Sequence, residues 1–280
     1  SLIDGTICKL EKIRYRSSED AVTRINEWCR EKTHDHIKTI IEPEDIKSKS
    51  SLGTMDEPFF SLLSAVYFKG DWSSRFDENT NNQYPFYSEA GAPGEMIDMM
   101  EQNASQLEYG ELGNIKILKM YFKGGDFSLV VVLPEKIMSA KQLVTEITPE
   151  EIEKASRNLL PHSVNVKMPK FNITNAIDLK SVMKDFGFTD MDDFTSMFEP
   201  TITANTVYLE KMKQDNWFAV NEKGAEATSV TGTYSFSVGC CATPQIPSVD
   251  FIMDRPFLYF LQYENDDSGT VLFAGCYGKP

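Results

Sequence analysis

Apolar positions recur at helical spacing only in limited stretches of the chain. After Ser17-Ser18, a cap type, and the acidic pair Glu19-Asp20, the residues Val22, Ile25, Trp28 and Cys29 fall on one side of a 3.6-residue period, predicting an amphipathic helix to about Arg30. Ile37, Ile40 and Ile41 continue the apolar pattern before Pro43. "SAKQLVTEITPEEIEKASRNL" and "AIDLKSVMKDFGFTDM" also carry helical spacing, the second ending at Gly187. Elsewhere the pattern is strand-like. "FFSLLSAVYFKGDW", Phe59 to Trp72, mixes aromatic and branched residues and reads as a long buried strand. "IKILKMYF" and "FSLVVVLP" are joined through Gly124-Gly125, and "PFLYFLQY" and "TVLFAGCY" through residues 265–269, which is hairpin chemistry. "SVNVKMPKFNI" reads as further strand. Strands outnumber helices and most are joined locally, so the expected class is α+β with mostly antiparallel sheets. No repeat, linker or low-complexity tract divides residues 1–280, and one domain is expected.

One stretch fits neither a core strand nor an ordinary loop. In "EKGAEATSVTGTYSFSV", Glu222 to Val238, every second residue from Ala225 is small: Ala225, Ala227, Ser229, Thr231, Thr233, Ser235 and Ser237. The alternate positions carry Glu226, Thr228, Val230, Gly232, Tyr234, Phe236 and Val238. A strand with this alternation fits a slot whose inner face has little room. No proline occurs from Glu222 to Thr243, so every backbone N–H remains free to join a ladder.

Composition narrows the function classes. The chain has 280 residues, 41% hydrophobic and 25% charged, which is enough for one large core or two modest ones. A formal charge of −14 argues against nucleic acid and anionic membranes as partners. Apolar runs such as Leu129 to Leu133 fall far short of the roughly 20 residues that span a bilayer. Cys8, Cys29, Cys240, Cys241 and Cys276 are odd in number and have no metal-like spacing, so no disulfide framework is implied. Asn103-Ala104-Ser105 and Asn172-Ile173-Thr174 are glycan acceptor patterns, usable only on a secretory route. The first residues show no signal core.

The three histidines, His34, His36 and His162, limit acid/base schemes. Two residues apart on a helix, His34 and His36 would point about 200° apart and could not converge on a metal or a proton. His162 is expected at the surface, at a strand start. No nucleophile elbow, phosphate loop or Cys-x-x-Cys is present, and nothing makes a case for an enzyme, a metal or a cofactor.

"INEWCREKTHDHI", "VYFKGDW", "VNEKGAEAT" and "FIMDRPFLYFL", in this order over nearly the whole chain, resemble the serpin family of protease inhibitors. The match looks like the portion of a serpin from just before helix F to the C-terminus. The helices and strands that precede this portion in the family are not found in these residues, and a missing N-terminal portion is the expectation. The resemblance implies a serpin fold with an exposed reactive loop, about residues 222–247, offered to a protease as bait. The hinge would be Glu222, Lys223 and Gly224, continuing through Ala225, Ala227 and Ser229. After attack, the acylated loop would enter the large sheet as an added central strand and distort the bound enzyme, giving a single-use inhibitor of serine proteases.

The family's usual loop length places the scissile bond at Val238-Gly239, with Phe236 or Cys240 as alternatives. Val238 would suit elastase-like proteases, and Phe236 would shift the target to chymotrypsin-like ones. The resemblance assigns Trp72 to the breach at the top of the sheet. Ser64 and Gln214 fall in the shutter, where many relatives carry Asn and His; hydroxyl and amide can still bond to each other. A non-inhibitory carrier, chaperone or storage role is the competing reading, and a cross-class inhibitor of cysteine proteases a further one. A monomer without cofactor is expected, extracellular in first place and cytoplasmic in second.

Overall fold

The computed structural model describes residues 17–46, 59–78, 82–188, 208–222, 248–264 and 269–279. They form two compact units, one comprising residues up to Tyr67 together with Ile173–Phe218, the other Phe68–Asn172 together with the residues from Ala219 onward.

The first unit is built on a three-stranded sheet in the order β1 (Phe59–Phe68), β8 (Tyr208–Val220), β7 (Phe171–Asp178). Helix α1 (Ser18–Lys32) starts where Ser17 Oγ accepts from Asp20 N at 3.3 Å, with Glu19 and Asp20 in the first turn and Arg30 and Lys32 in the last, each complementing the helix dipole. Its buried side is Ala21, Val22 and Cys29. Burial, then the charge of Asp215, pushes the Cys29 thiol up to about 11, so it is a packing residue rather than a nucleophile. Ile37, Ile40 and Ile41 are buried as their apolar pattern predicts, but in a turn beyond the helix that leads to the short 3₁₀ helix Pro43–Asp45. Helix α4 (Leu179–Asp185) follows β7 and ends, as expected, ahead of Gly187, whose φ is +90°.

The second unit is an eight-stranded sheet in the order β11 (Thr270–Tyr277), β10 (Phe257–Tyr263), β5 (Phe127–Pro134), β4 (Ile115–Tyr121), β3 (Glu95–Leu112), β6 (Leu160–Pro169), β9 (Val249–Ile252), with β2 (Asn82–Phe86) paired to β3. The pairs are antiparallel except β6 (Leu160–Pro169) with β9 (Val249–Ile252). The two predicted hairpins are present as β4–β5 (Ile115–Tyr121, Phe127–Pro134) and β10–β11 (Phe257–Tyr263, Thr270–Tyr277). Gly124 and Gly125 turn the first with φ of +91° and +79°. The class is α+β with mostly antiparallel sheets.

The structure divides or extends the expected pattern at three places. The helical stretch after Ser139 is two helices, α2 (Ala140–Glu146) and α3 (Pro149–Ser156), because Thr148 caps a new start with Pro149 in its first turn and Glu151 closing a capping box. "SVNVKMPKFNI" is cut at Lys170 into β6 and β7, which belong to different sheets. The longest strand, β3 (Glu95–Leu112), was not predicted. Its Met99 and Met100 are both fully buried, so it lacks the alternation of a half-buried strand, and a bulge between Gln102 and Ser105 breaks its period again.

Leu143 of α2 and Ala155 of α3 close over Ile115, Ile117, Val130, Val132 and Leu258 from β4, β5 and β10. Each large side chain buried there contributes about 1.5–3 kcal/mol. On β11, Gly275 faces Tyr259 across the ladder, and a Cβ at 275 would overlap the tyrosine ring and hydroxyl. Gly275→Ala is therefore expected to destabilise the protein by about 1–3 kcal/mol in urea unfolding, through overpacking; an unchanged midpoint would show that the ring can move aside.

Candidate functional site: the hinge and the sheet seam

The predicted hinge begins where β8 ends, and its first residue is held from two sides. Trp72, 1% exposed, donates its indole N–H to Asn221 O at 2.8 Å and stacks on Phe122 at 4.4 Å with a 12° interplanar angle. Phe76 meets the same indole edge-on, and its backbone N donates to Glu222 O at 3.2 Å. The Glu222 carboxylate pairs with Lys170 Nζ at 2.5 Å. That side chain is only 13% exposed, so the cation offsets a real desolvation cost. The segment carrying Trp72 is fixed in turn. Ser73 N donates to Tyr121 O, and the buried Gln102 amide reaches Ser74 O and Oγ at 2.8 and 2.7 Å.

Trp72 thus does more than fill the core: it pins Asn221, the residue before the predicted hinge. Lys170 was not singled out from sequence. Its position in the break between β6 and β7 is the reason it reaches Glu222, and only the unpredicted division of "SVNVKMPKFNI" puts it there. The remaining hinge positions Lys223, Gly224, Ala225, Ala227 and Ser229, and the bait candidates Phe236, Val238, Gly239 and Cys240, lie outside the described residues.

Ser64 and Gln214 sit on β1 and β8, which are hydrogen-bonded neighbours. Gln214 does not use its amide on Ser64: Nε2 donates to Asn216 Oδ1 at 2.8 Å, two residues along the same strand. The intervening positions Lys211, Lys213, Asp215 and Trp217 form the other face of β8. Lys213 Nζ donates to Ile40 O at 2.8 Å and lies 3.3 Å from Asp215 Oδ1 without hydrogen-bond geometry. Burial raises the Asp215 pKa, and the Lys213 charge only partly opposes it.

His34 and His36 require a correction. They do not lie on a helix, since α1 ends at Lys32, and His34 and Asp35 take left-handed backbone angles with φ of +51° and +63°. Both rings come to Tyr67, His36 stacked at 5.0 Å and His34 edge-on at 5.9 Å. His162 is half-buried near the start of β6, edge-on to Tyr109 and with Nδ1 2.8 Å from Leu160 O. Asn103, in the β3 bulge, and Asn172, on β7, are both exposed. No helix among the described residues is long and apolar enough to cross a membrane.

Because Trp72 and Lys170 hold the same dipeptide, their losses should be coupled. Trp72→Phe and Lys170→Ala are each expected to cost about 1–2 kcal/mol in urea unfolding. The double variant should depart from their sum by about 0.5 kcal/mol or more; strict additivity would show that the two contacts act separately.

A sequence profile of the family described as serpin (serine protease inhibitor) matches residues 6–280. Serpin B3 of Homo sapiens is 26% identical over 266 residues, covering 94% of this chain and 64% of that protein. The leukocyte elastase inhibitor of Xenopus tropicalis is 27% identical over 269 residues, covering 94% and 67%. Among solved structures, Serpin48 of the insect Tenebrio molitor superposes with a TM-score of 0.72 at 25% identity, covering 96% of this chain and 67% of that one. Against the first of these relatives, the chain spans just under two thirds of the full length. With the profile matching nearly every residue and the α+β fold shared, the chain belongs to the serpin family.

Proposed function

We propose that this protein inhibits a serine protease as a single-use substrate, its loop cleaved near Val238-Gly239 and then inserted as a new strand between β1 and β8. The observation that carries the reading is the run of seven small residues at alternate positions from Ala225 to Ser237, beginning three residues after the pinned Glu222. An added strand must slide one face beneath a packed layer, where excess volume costs about 1–3 kcal/mol per misfit. Small side chains on that face avoid the cost. The opposite face, with Tyr234 and Phe236, is free to be larger.

The geometry of the described residues is compatible with this. β1 and β8, which carry the shutter positions Ser64 and Gln214, are direct neighbours, so the place for a new strand is closed in this structure. Insertion exchanges the β1–β8 ladder for two ladders, one on each side of the new strand, and this gain drives the change from a metastable start. With the Gln214 amide spent within its own strand, no Gln214–Ser64 bond has to break when the seam opens.

Val238 follows directly on the small face and fits the small apolar pockets of elastase-like enzymes, and one relative carries the name leukocyte elastase inhibitor. Chymotrypsin-like proteases come second, through Phe236. An extracellular setting rests on Asn103 and Asn172 alone, two exposed asparagines in acceptor triplets that a secretory route would glycosylate.

Incubation with an elastase-like protease should give a covalent complex that survives denaturing electrophoresis, with mass spectrometry placing the cut after Val238. Val238→Arg should slow complex formation with that enzyme and speed it with a trypsin-like one, by about tenfold or more in each direction. Complete cleavage without complex would overturn inhibition of these proteases. An unchanged target profile would overturn the placement of the bond.

A further inference from the structure

The face of β8 that carries Lys211, Lys213, Asp215 and Trp217 meets the chain that follows α1, and each of these side chains but one is matched there. Lys211 Nζ pairs with Asp45 Oδ1 at 2.7 Å, and Lys213 Nζ donates to Ile40 O at 2.8 Å. The Trp217 ring lies 3.9 Å from that of His36 and 5.3 Å from that of Tyr67, so that the three rings form one stack. Asp215 is the exception. The residue is only 6% exposed, and its Oδ1 is buried with no hydrogen-bond partner among the described residues. A buried polar atom left in this way is rare, and it is costly for an ionised carboxylate, whose two oxygens accept several hydrogen bonds in water.

The groups around Asp215 do not make up the loss. Lys213 Nζ is 3.3 Å from Oδ1, but its hydrogen bond goes to Ile40 O, and the contact with the carboxylate lacks the alignment of a charge-assisted bond. Lys211, the other cation on this face, is engaged by Asp45. Asp45 itself brings a like charge. The fully buried Cys29 thiol of α1, which burial and then the Asp215 charge push up to about 11, stays neutral and offers no countercharge. Burial accordingly raises the Asp215 pKa; Lys213 opposes the rise in part, and Asp45 adds to it.

We infer that the Asp215 carboxyl is a proton switch built into the first unit, which is more stable with this group neutral than with it charged. The inference concerns the intact folded protein and does not rest on the insertion reading. Its sign follows from linkage. A carboxyl whose pKa is raised by folding supports the fold fully below its unfolded value, near the ordinary 3.8, and that support is lost as pH rises through the folded value. Carboxylates that folding pairs with a cation, such as Asp45 with Lys211 and Glu101 with Lys167, act in the opposite sense. The switch therefore shows in the difference between parent and variant at each pH.

Urea unfolding of the full protein between about pH 4 and pH 8 tests this with Asp215→Asn, which keeps the shape of the side chain and cannot ionise. Near the acid end the variant and the parent should unfold at similar urea concentrations. The variant should become the more stable of the two as pH rises, by about tenfold in the folding constant for each pH unit by which folding raises the group. Lys213→Met removes the one opposing charge and should make the parent's relative loss with pH steeper; combining it with Asp215→Asn should abolish that extra loss. A difference between Asp215→Asn and the parent that does not change with pH would overturn the switch. So would a variant less stable than the parent at neutral pH, which would show Lys213 and Asp215 to be a net stabilising pair. If Lys213→Met does not fold, the Asp215→Asn series decides alone.

Discussion

The indole N–H of Trp72 donating to Asn221 O fixes the end of β8, and much else in the protein is arranged to make that bond possible. The ring is buried on Phe122, and the segment that carries it is tied to Tyr121 and to the Gln102 side chain. Lys170 then secures the next residue, Glu222. Under the proposed insertion, a loop becoming a strand needs one fixed point that sets its register. Here the pinned Glu222 lies three residues before Ala225, the first small residue of the alternating run.

The same logic explains why the two units differ in character. The eight-stranded sheet is closed by packing on both faces: Ile117, Leu118, Val131 and Val132 are fully buried neighbours on β4 and β5, and Leu143 and Ala155 cap Ile117 and Val132. Such a core has no room for another strand. The β1–β8 line is held instead by contacts that can be exchanged, among them a stack of three rings, a lysine on a carbonyl and a buried carboxylate whose cation is poorly aimed. The proposed insertion requires this kind of seam, stable enough to persist and held by contacts that can be exchanged.

Much of this was legible before any coordinates. The capped start of α1 and the Gly-Gly hairpin each follow from local chemistry that tertiary structure did not override. What escaped notice depended on long-range pairing. β3 is polar in stretches and buried on both faces elsewhere, so its eighteen residues show no single period. Lys170 is an unremarkable cation until the chain changes sheets around it and brings Glu222 within reach. The helical-spacing argument for the histidines does not apply beyond Lys32, and neither the contact of both rings with Tyr67 nor that of His36 with Trp217 follows from spacing.

The account stands or falls on whether the loop becomes a strand. Differential scanning calorimetry of the intact protein and of the same protein nicked once in the loop tests this without reference to any particular target enzyme. Insertion adds a central strand and its two ladders, so the nicked form should melt well above the intact one. Equal or lower melting after cleavage would contradict the account, leaving the small-residue alternation from Ala225 to Ser237 as a feature of an ordinary surface loop.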